Sequence, residues 1–211
     1  MQKAKTDLLD EVAEYYSDKL AQFGETPQGV DWNGEASQRL RFDQLIRIAD
    51  GYDSFSINDL GCGYGALFDY LSSNRRTVSY AGFDVAQGMV DAGHRRHNDV
   101  TNARFVCGAA PDSVADFGIA SGIFNVRNNT PDAEWHAYLE ATLDVLDRTS
   151  ERGFAFNCLT SWSDADKMRA YLYYADPSQL FEMCKRKYSR NVALLHDYEL
   201  YEFTILVRKQ R

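Results

Sequence analysis

Three glycines at alternate positions, Gly61, Gly63 and Gly65, follow directly on the apolar run 57–60 and precede Ala66-Leu-Phe-Asp-Tyr-Leu71, which has helical spacing. No other short stretch constrains the fold as strongly. A strand ends there, the backbone turns sharply, and a helix opens whose N-terminus faces whatever lies above the loop. Glycine permits the turn and the close approach of a ligand because no Cβ stands in the way. In open α/β sheets such a loop sits at the carboxyl ends of the strands, where ligands bind.

The rest of the chain fits that frame. Short apolar runs at 57–60, 80–85, 104–107, 117–124 and 153–159 alternate with helical segments. Thr130-Pro131 predicts the start of one helix, with Trp135, Tyr138, Leu139, Leu143 and Leu146 on one face. Asp176-Pro-Ser-Gln179 predicts another, with an N-cap acid, a first-turn proline and a capping-box glutamine. Alternating βα units imply a parallel sheet covered on both sides. The last two runs, 192–196 and 201–207, are too close together for a parallel crossover, so they pair as an antiparallel hairpin. Before the glycine loop, Leu8, Leu9, Val12, Tyr15, Tyr16, Leu20 and Phe23 repeat at helical intervals until Gly24, Pro27 and Gly29 break the pattern. A second helix is expected from near Ser37 to Gly51. Residues 1–50 are therefore expected to form a helical lid and 51–211 the core of a single-domain protein.

Two carboxylates flank the loop. Asp59 lies two residues before Gly61, where it suits an ammonium group and would repel a pyrophosphate. Asp84 ends the next strand, Tyr80-Ala-Gly-Phe-Asp84, where an acid can accept hydrogen bonds from both hydroxyls of a ribose. Together they describe a cationic adenosine derivative with an amino-acid tail.

At this point the chain resembles the class I S-adenosylmethionine-dependent methyltransferase family. Asp59-Leu-Gly-Cys-Gly-Tyr-Gly65 looks like its first motif, and Phe83-Asp84-Val85 followed by Met89 like its second. The terminal hairpin matches the family's reversed last strand. The resemblance implies a Rossmann-like α/β fold with a seven-stranded, mostly parallel sheet. It implies S-adenosyl-L-methionine as cofactor and S-adenosyl-L-homocysteine as product. Gly61, Cys62 and Gly63 would flank the methionine moiety, Asp84 would hold the ribose, and Val85 and Met89 would pack near the adenine. Ser121, after the fourth strand, joins this set. The family's acid after the third strand is missing in Cys107-Gly-Ala-Ala-Pro111; backbone groups at 108–110, Ala109 among them, or Asp112, stand in its place. From the N-terminal segment one of Arg39 and Arg41, with Arg41 preferred, is the expected partner of the cofactor carboxylate.

Methyl transfer needs alignment and exclusion of water more than a fixed base. Loops above the strand ends offer Asn125, Arg127 and His136 as catalytic candidates. Arg127 would grip an anionic substrate and His136 would serve as base. Tyr16, Trp32 and Asn157 are candidate walls of the acceptor site. His94 and His97 are three residues apart without a third ligand nearby, so no metal site is expected and both are read as a solvated helix face.

Composition narrows the partners. Thirty-one acidic against twenty-three basic residues give a net charge of −8, which opposes nucleic-acid and anionic membrane surfaces. The basic clusters at 185–187 and 208–209, with Arg190, read as solvated charge. The four cysteines form no CxxC pair and read as small buried hydrophobes in a reducing compartment, the cytoplasm. The expected activity is methyl transfer to an oxygen or nitrogen of a small polar metabolite, a sugar or a natural-product intermediate. The rivals are an NAD(P)-dependent oxidoreductase, an RNA methyltransferase and a non-enzymatic binding module.

Overall fold

A seven-stranded sheet in the order β3-β2-β1-β4-β5-β7-β6 organises the molecule. The strands are β1 (Ser54–Leu60), β2 (Thr77–Asp84), β3 (Ala103–Cys107), β4 (Ala115–Ala120), β5 (Ser150–Leu159), β6 (Asn191–Leu195) and β7 (Glu202–Arg208). The computed structural model describes residues 2–74 and 76–209, with side chains from residue 8 onward. β7 runs antiparallel to both its neighbours, and the pairs β1–β2, β1–β4, β2–β3 and β4–β5 are parallel. The expected topology is therefore present, with the hairpin's second strand inserted between β5 and β6.

Helices cover both faces: α1 (Gln2–Phe23), α2 (Glu35–Leu45), α3 (Ala66–Ser73), α4 (Gln87–Arg96), α5 (Asp132–Arg148) and α6 (Pro177–Lys187). Central strands are apolar on both sides, as buried parallel strands must be. One core packs Phe42, Leu45, Leu67, Phe68 and Leu71 against Ile57, Phe117 and Ile119. The other packs Leu139, Leu143, Leu146 and Leu180 against Phe83, Phe154, Phe156 and Phe203. α5 buries Trp135, Leu139, Thr142, Leu143 and Leu146, and the Trp135 ring N–H donates to the Phe124 carbonyl at 3.2 Å. At α6, Asp176 accepts from Ser178 N (2.8 Å) and Gln179 N (3.2 Å), a cap worth about 1 kcal/mol.

Several sequence expectations shift. Helix α5 starts after Pro131, with Pro131 and not Thr130 at the cap position. The fourth strand stops at Ala120, because Gly122 at φ +77° turns the chain and drops Phe124 into the second core. α2 is not a lid element alone: Phe42 and Leu45, with Ile46, Ile48 and Ala49 just after it, belong to the first core. Cys107 is exposed, whereas Cys62, Cys158 and Cys184 are buried, and all four are free. His97 is no solvated residue either. Its side chain is tucked beneath the glycine loop, stacked on Phe105 at 5.3 Å between ring centres.

Candidate active site

The sheet order reverses between β1 and β4, and the loops after these strands splay apart to open a crevice at their carboxyl ends. The resulting cleft holds about 1050 Å³, counting its solvent-open mouth. Gly61, Gly63 and Gly65 all occupy the left-handed region, with φ of +76°, +54° and +90°. The Phe83 carbonyl accepts from both Gly61 N (2.7 Å) and Cys62 N (3.1 Å), pinning the loop to the end of β2. A Cβ on Gly61 would overlap the Ile123 methyl. Gly61→Ala is accordingly expected to cost about 1–3 kcal/mol, from left-handed strain and the clash, read as a lower urea midpoint.

Asp59 is 2% exposed. Its Oδ2 accepts from the Tyr80 hydroxyl at 2.6 Å, while Oδ1, also buried, has no partner among the described residues. Burial pushes its pKa up to about 7; the Tyr80 hydrogen bond opposes the shift and the Asp84 charge adds to it. Asp84 Oδ2 accepts from Gly63 N and Oδ1 from Ala86 N, both at 2.9 Å. Burial raises this carboxyl too, against the pull of those amides. A carboxylate offers about four acceptor positions, so acceptor capacity remains on Asp84 beyond these backbone amides for the hydroxyls of a diol. Ser121 Oγ is a second buried polar atom without a partner. Burial holds the Cys62 thiol well above its usual range, hence neutral.

Of the residues singled out from sequence, Tyr16, Trp32, Asp59, Gly61, Cys62, Gly63, Asp84, Val85, Met89, Ala109 and Ser121 line this one cleft. Gly108 lines it as well, whereas Asp112 is turned away to pair with Arg104, which lowers its carboxyl to about 2. The remaining candidates are engaged elsewhere. Arg41 forms a buried ion pair with Glu202 (Nη2–Oε1 2.5 Å) and stacks 3.9 Å over the Trp32 ring. Arg127 is taken by Asp132 and the Thr130 carbonyl. Asn125 Oδ1 accepts from Leu159 N at 3.2 Å. His136 is exposed, with Nδ1 against the Tyr173 hydroxyl at 2.9 Å. Asn157 is fully buried; its Oδ1 accepts from Gly122 N and its Nδ2 donates to Glu202 Oε2, both at 2.7 Å. None of these five lines the cleft.

Sequence reasoning missed Glu202, the hub of that network; its signal was a lone acid opening an otherwise apolar strand. It also missed the apolar roof and wall. Leu9 and Val12 of α1, Val30, Ile123 and the α5 residues Tyr138, Thr142 and Val145 all face the cleft.

A family model described as "Methyltransferase domain" matches residues 57–149, the span from β1 through α5. The chain is 60% identical over 164 residues to a Mycobacterium tuberculosis protein named "Putative methyltransferase Rv1506c", covering 78% of this chain and 99% of the relative. The chain belongs to the class I S-adenosylmethionine-dependent methyltransferases. Solved methyltransferase structures share the fold. The N-methyltransferase NodS from Bradyrhizobium japonicum, in complex with S-adenosyl-L-homocysteine, superposes with a TM-score of 0.67 at 12% identity, over 94% of this chain and 98% of that one. The Burkholderia thailandensis 1,6-didemethyltoxoflavin-N1-methyltransferase gives 0.61 at 17% identity, over 96% and 90%. For a methyltransferase of this class the reversed strand β7 and the glycine loop after β1 are both in place.

Proposed function

We propose that the cleft binds S-adenosyl-L-methionine and aligns a small-molecule acceptor, through an oxygen or nitrogen, behind its methyl group. The observation that carries this reading is the unpartnered, buried Oδ1 of Asp59 beside the glycine loop. A buried carboxylate oxygen without a donor is costly, and an ammonium group entering there would offset that cost. The open acceptor positions of Asp84 suit a ribose diol, and Val85, Met89, Gly108 and Ala109 supply a flat apolar berth for a base. When bound, the cofactor supplies an electrophilic methyl on a sulfonium.

The protein's part is positioning and dryness. The α1 helix and the turn through Trp32 roof the cleft, and Asp31 ties them together by accepting from Tyr15 (2.8 Å) and Lys19 (2.7 Å). We assign this segment as the lid and α2 onward as the core. With His136 and Arg127 off the cleft, alignment carries the rate and no histidine base is invoked. A nicotinamide dinucleotide fits less well, since Asp59 would face its pyrophosphate. An RNA substrate is disfavoured because Lys187 pairs with Glu140 and Asp144, Arg186 with Glu182, and Lys209 with Asp147. Four free cysteines fit a reducing cytoplasm, and no described helix is long and apolar enough to cross a membrane.

Proton linkage tests the reading. Near pH 6 the ligand-free Asp59, with its pKa near 7, is mostly protonated. An ammonium group beside it lowers that pKa, so binding releases up to one proton. Affinity therefore rises between pH 5 and 7, by at most tenfold per pH unit, and then levels off. Calorimetry of S-adenosylmethionine binding at pH 6, in two buffers of different ionisation enthalpy, is expected to show the release, and Asp59→Asn to abolish it. Binding without proton release in the unaltered protein would remove Asp59 from the ammonium site.

A further inference from the structure

We propose that the methyl acceptor is an uncharged molecule with a planar apolar body, and that anionic acceptors are refused. The proposal rests on the cofactor reading above and deepens it. Three observations converge on it.

The first is the roof. In α1 the stripe Leu8, Leu9, Val12, Tyr16 and Leu20 is of the kind a core helix buries completely, yet every one of these residues is only half-buried. Leu9, Val12 and Tyr16 point into the cleft. The protein itself does not finish covering this face, and an apolar ligand beneath it would. The second is the opposite wall, where Ile123 and the α5 residues Tyr138 and Val145 present a matching apolar surface. Trp32 closes one side: it packs on Gly122, where any Cβ would overlap its ring, and Arg41 stacks on it and holds it still.

The third is charge. Among the described residues that line the cleft, Asp59 and Asp84 are the only acidic side chains, and none is basic. Among the described residues, Arg41 is paired with Glu202, Arg127 with Asp132 and Lys19 with Asp31, while the exposed Arg39 lies over the Tyr70 ring outside the cleft lining. The cofactor's ammonium and sulfonium stand against its own carboxylate and the two aspartates, leaving no positive charge for an anionic acceptor. A carboxylate or phosphate on the acceptor would be stripped of water without a partner. A sugar would lose hydroxyl hydration where Leu9, Val12, Ile123 and Val145 form the walls, and the polar groups on the lining, among them Tyr16, Ser121, Tyr138 and Thr142, are too few to replace it around the ring.

The test is titration of the protein, saturated with S-adenosylhomocysteine, with three probes: 1-naphthol, 1-naphthoate and glucose. Naphthol is expected to bind at least tenfold more tightly than either of the others. Naphthoate or glucose binding as tightly as naphthol, or none of the three binding, overturns the acceptor class while leaving the cofactor reading intact. Failure of S-adenosylhomocysteine itself to bind takes down both. A charge variant supplies an independent readout. Val12→Lys, on the half-buried roof, is expected to shift the naphthoate-to-naphthol affinity ratio at least tenfold toward naphthoate. An unchanged ratio would place the acceptor elsewhere.

Discussion

Asp84→Ala is expected to weaken S-adenosylhomocysteine binding at least a hundredfold, about 2.7 kcal/mol. Two losses combine. The open oxygen lone pairs assigned to the ribose disappear, and hydrogen bonds to a charged acceptor are each worth about 1.5–3 kcal/mol. The loop also loses an anchor, because the same carboxylate receives Gly63 N and Ala86 N at 2.9 Å and so ties the glycine turn to the start of α4. Asp84→Asn separates the two roles. The amide keeps one acceptor oxygen but turns a donor toward one of those backbone N–H groups, so an intermediate loss of about tenfold is expected. Calorimetry on both variants, with circular dichroism to confirm the fold, checks the order. Unchanged affinity in the alanine variant would remove Asp84 from the site.

What could be read from the sequence is what is encoded locally. Gly61, Gly63 and Gly65 are needed for a turn whose backbone lies at positive φ, and Asp59 and Asp84 hold fixed offsets from it; strand, loop and acids are thus set by neighbours a few residues away. The hairpin was equally plain from the short connector between its strands. Side-chain partnerships across the fold were not legible. Arg41 and Glu202 are 161 positions apart, and nothing near Arg41 distinguishes an arginine awaiting a ligand from one already satisfied. Asn125 and Asn157 sit where polar residues suggest chemistry, yet both are consumed in holding strand ends and loops. The apolar pattern of the fourth strand runs on through Ile123 and Phe124, past its actual end at Ala120. Gly122 turns the chain instead, so that Ile123 faces the cleft and Phe124 the core. The apolar roof escaped for a related reason. A helical stripe such as that of α1 reads as core, and only the fold shows that what it faces is a cavity.

Glu202→Ala tests the other half of the site, the part that touches no ligand. Glu202 is 1% exposed and receives Arg41 Nε at 2.9 Å on both oxygens, Arg41 Nη2 and Asn157 Nδ2. Removing one partner of a buried ion pair strands the other charge, so a loss of about 3–5 kcal/mol in urea unfolding is expected. Replacing Arg41 and Glu202 together by methionine removes the stranded charge, and most of the stability should return. Binding should not return with it. Asn157 would lose the acceptor that orients its amide, and with it the grip of Oδ1 on Gly122 N; Trp32 would lose the guanidinium stacked on its face. Ser121, Gly122 and Ile123 would then be free to shift at the cleft wall. The double variant is thus expected to unfold near the wild-type midpoint while binding S-adenosylhomocysteine and naphthol at least tenfold more weakly. If affinity recovers along with stability, the Arg41–Glu202–Asn157 network holds the fold and does not shape the site.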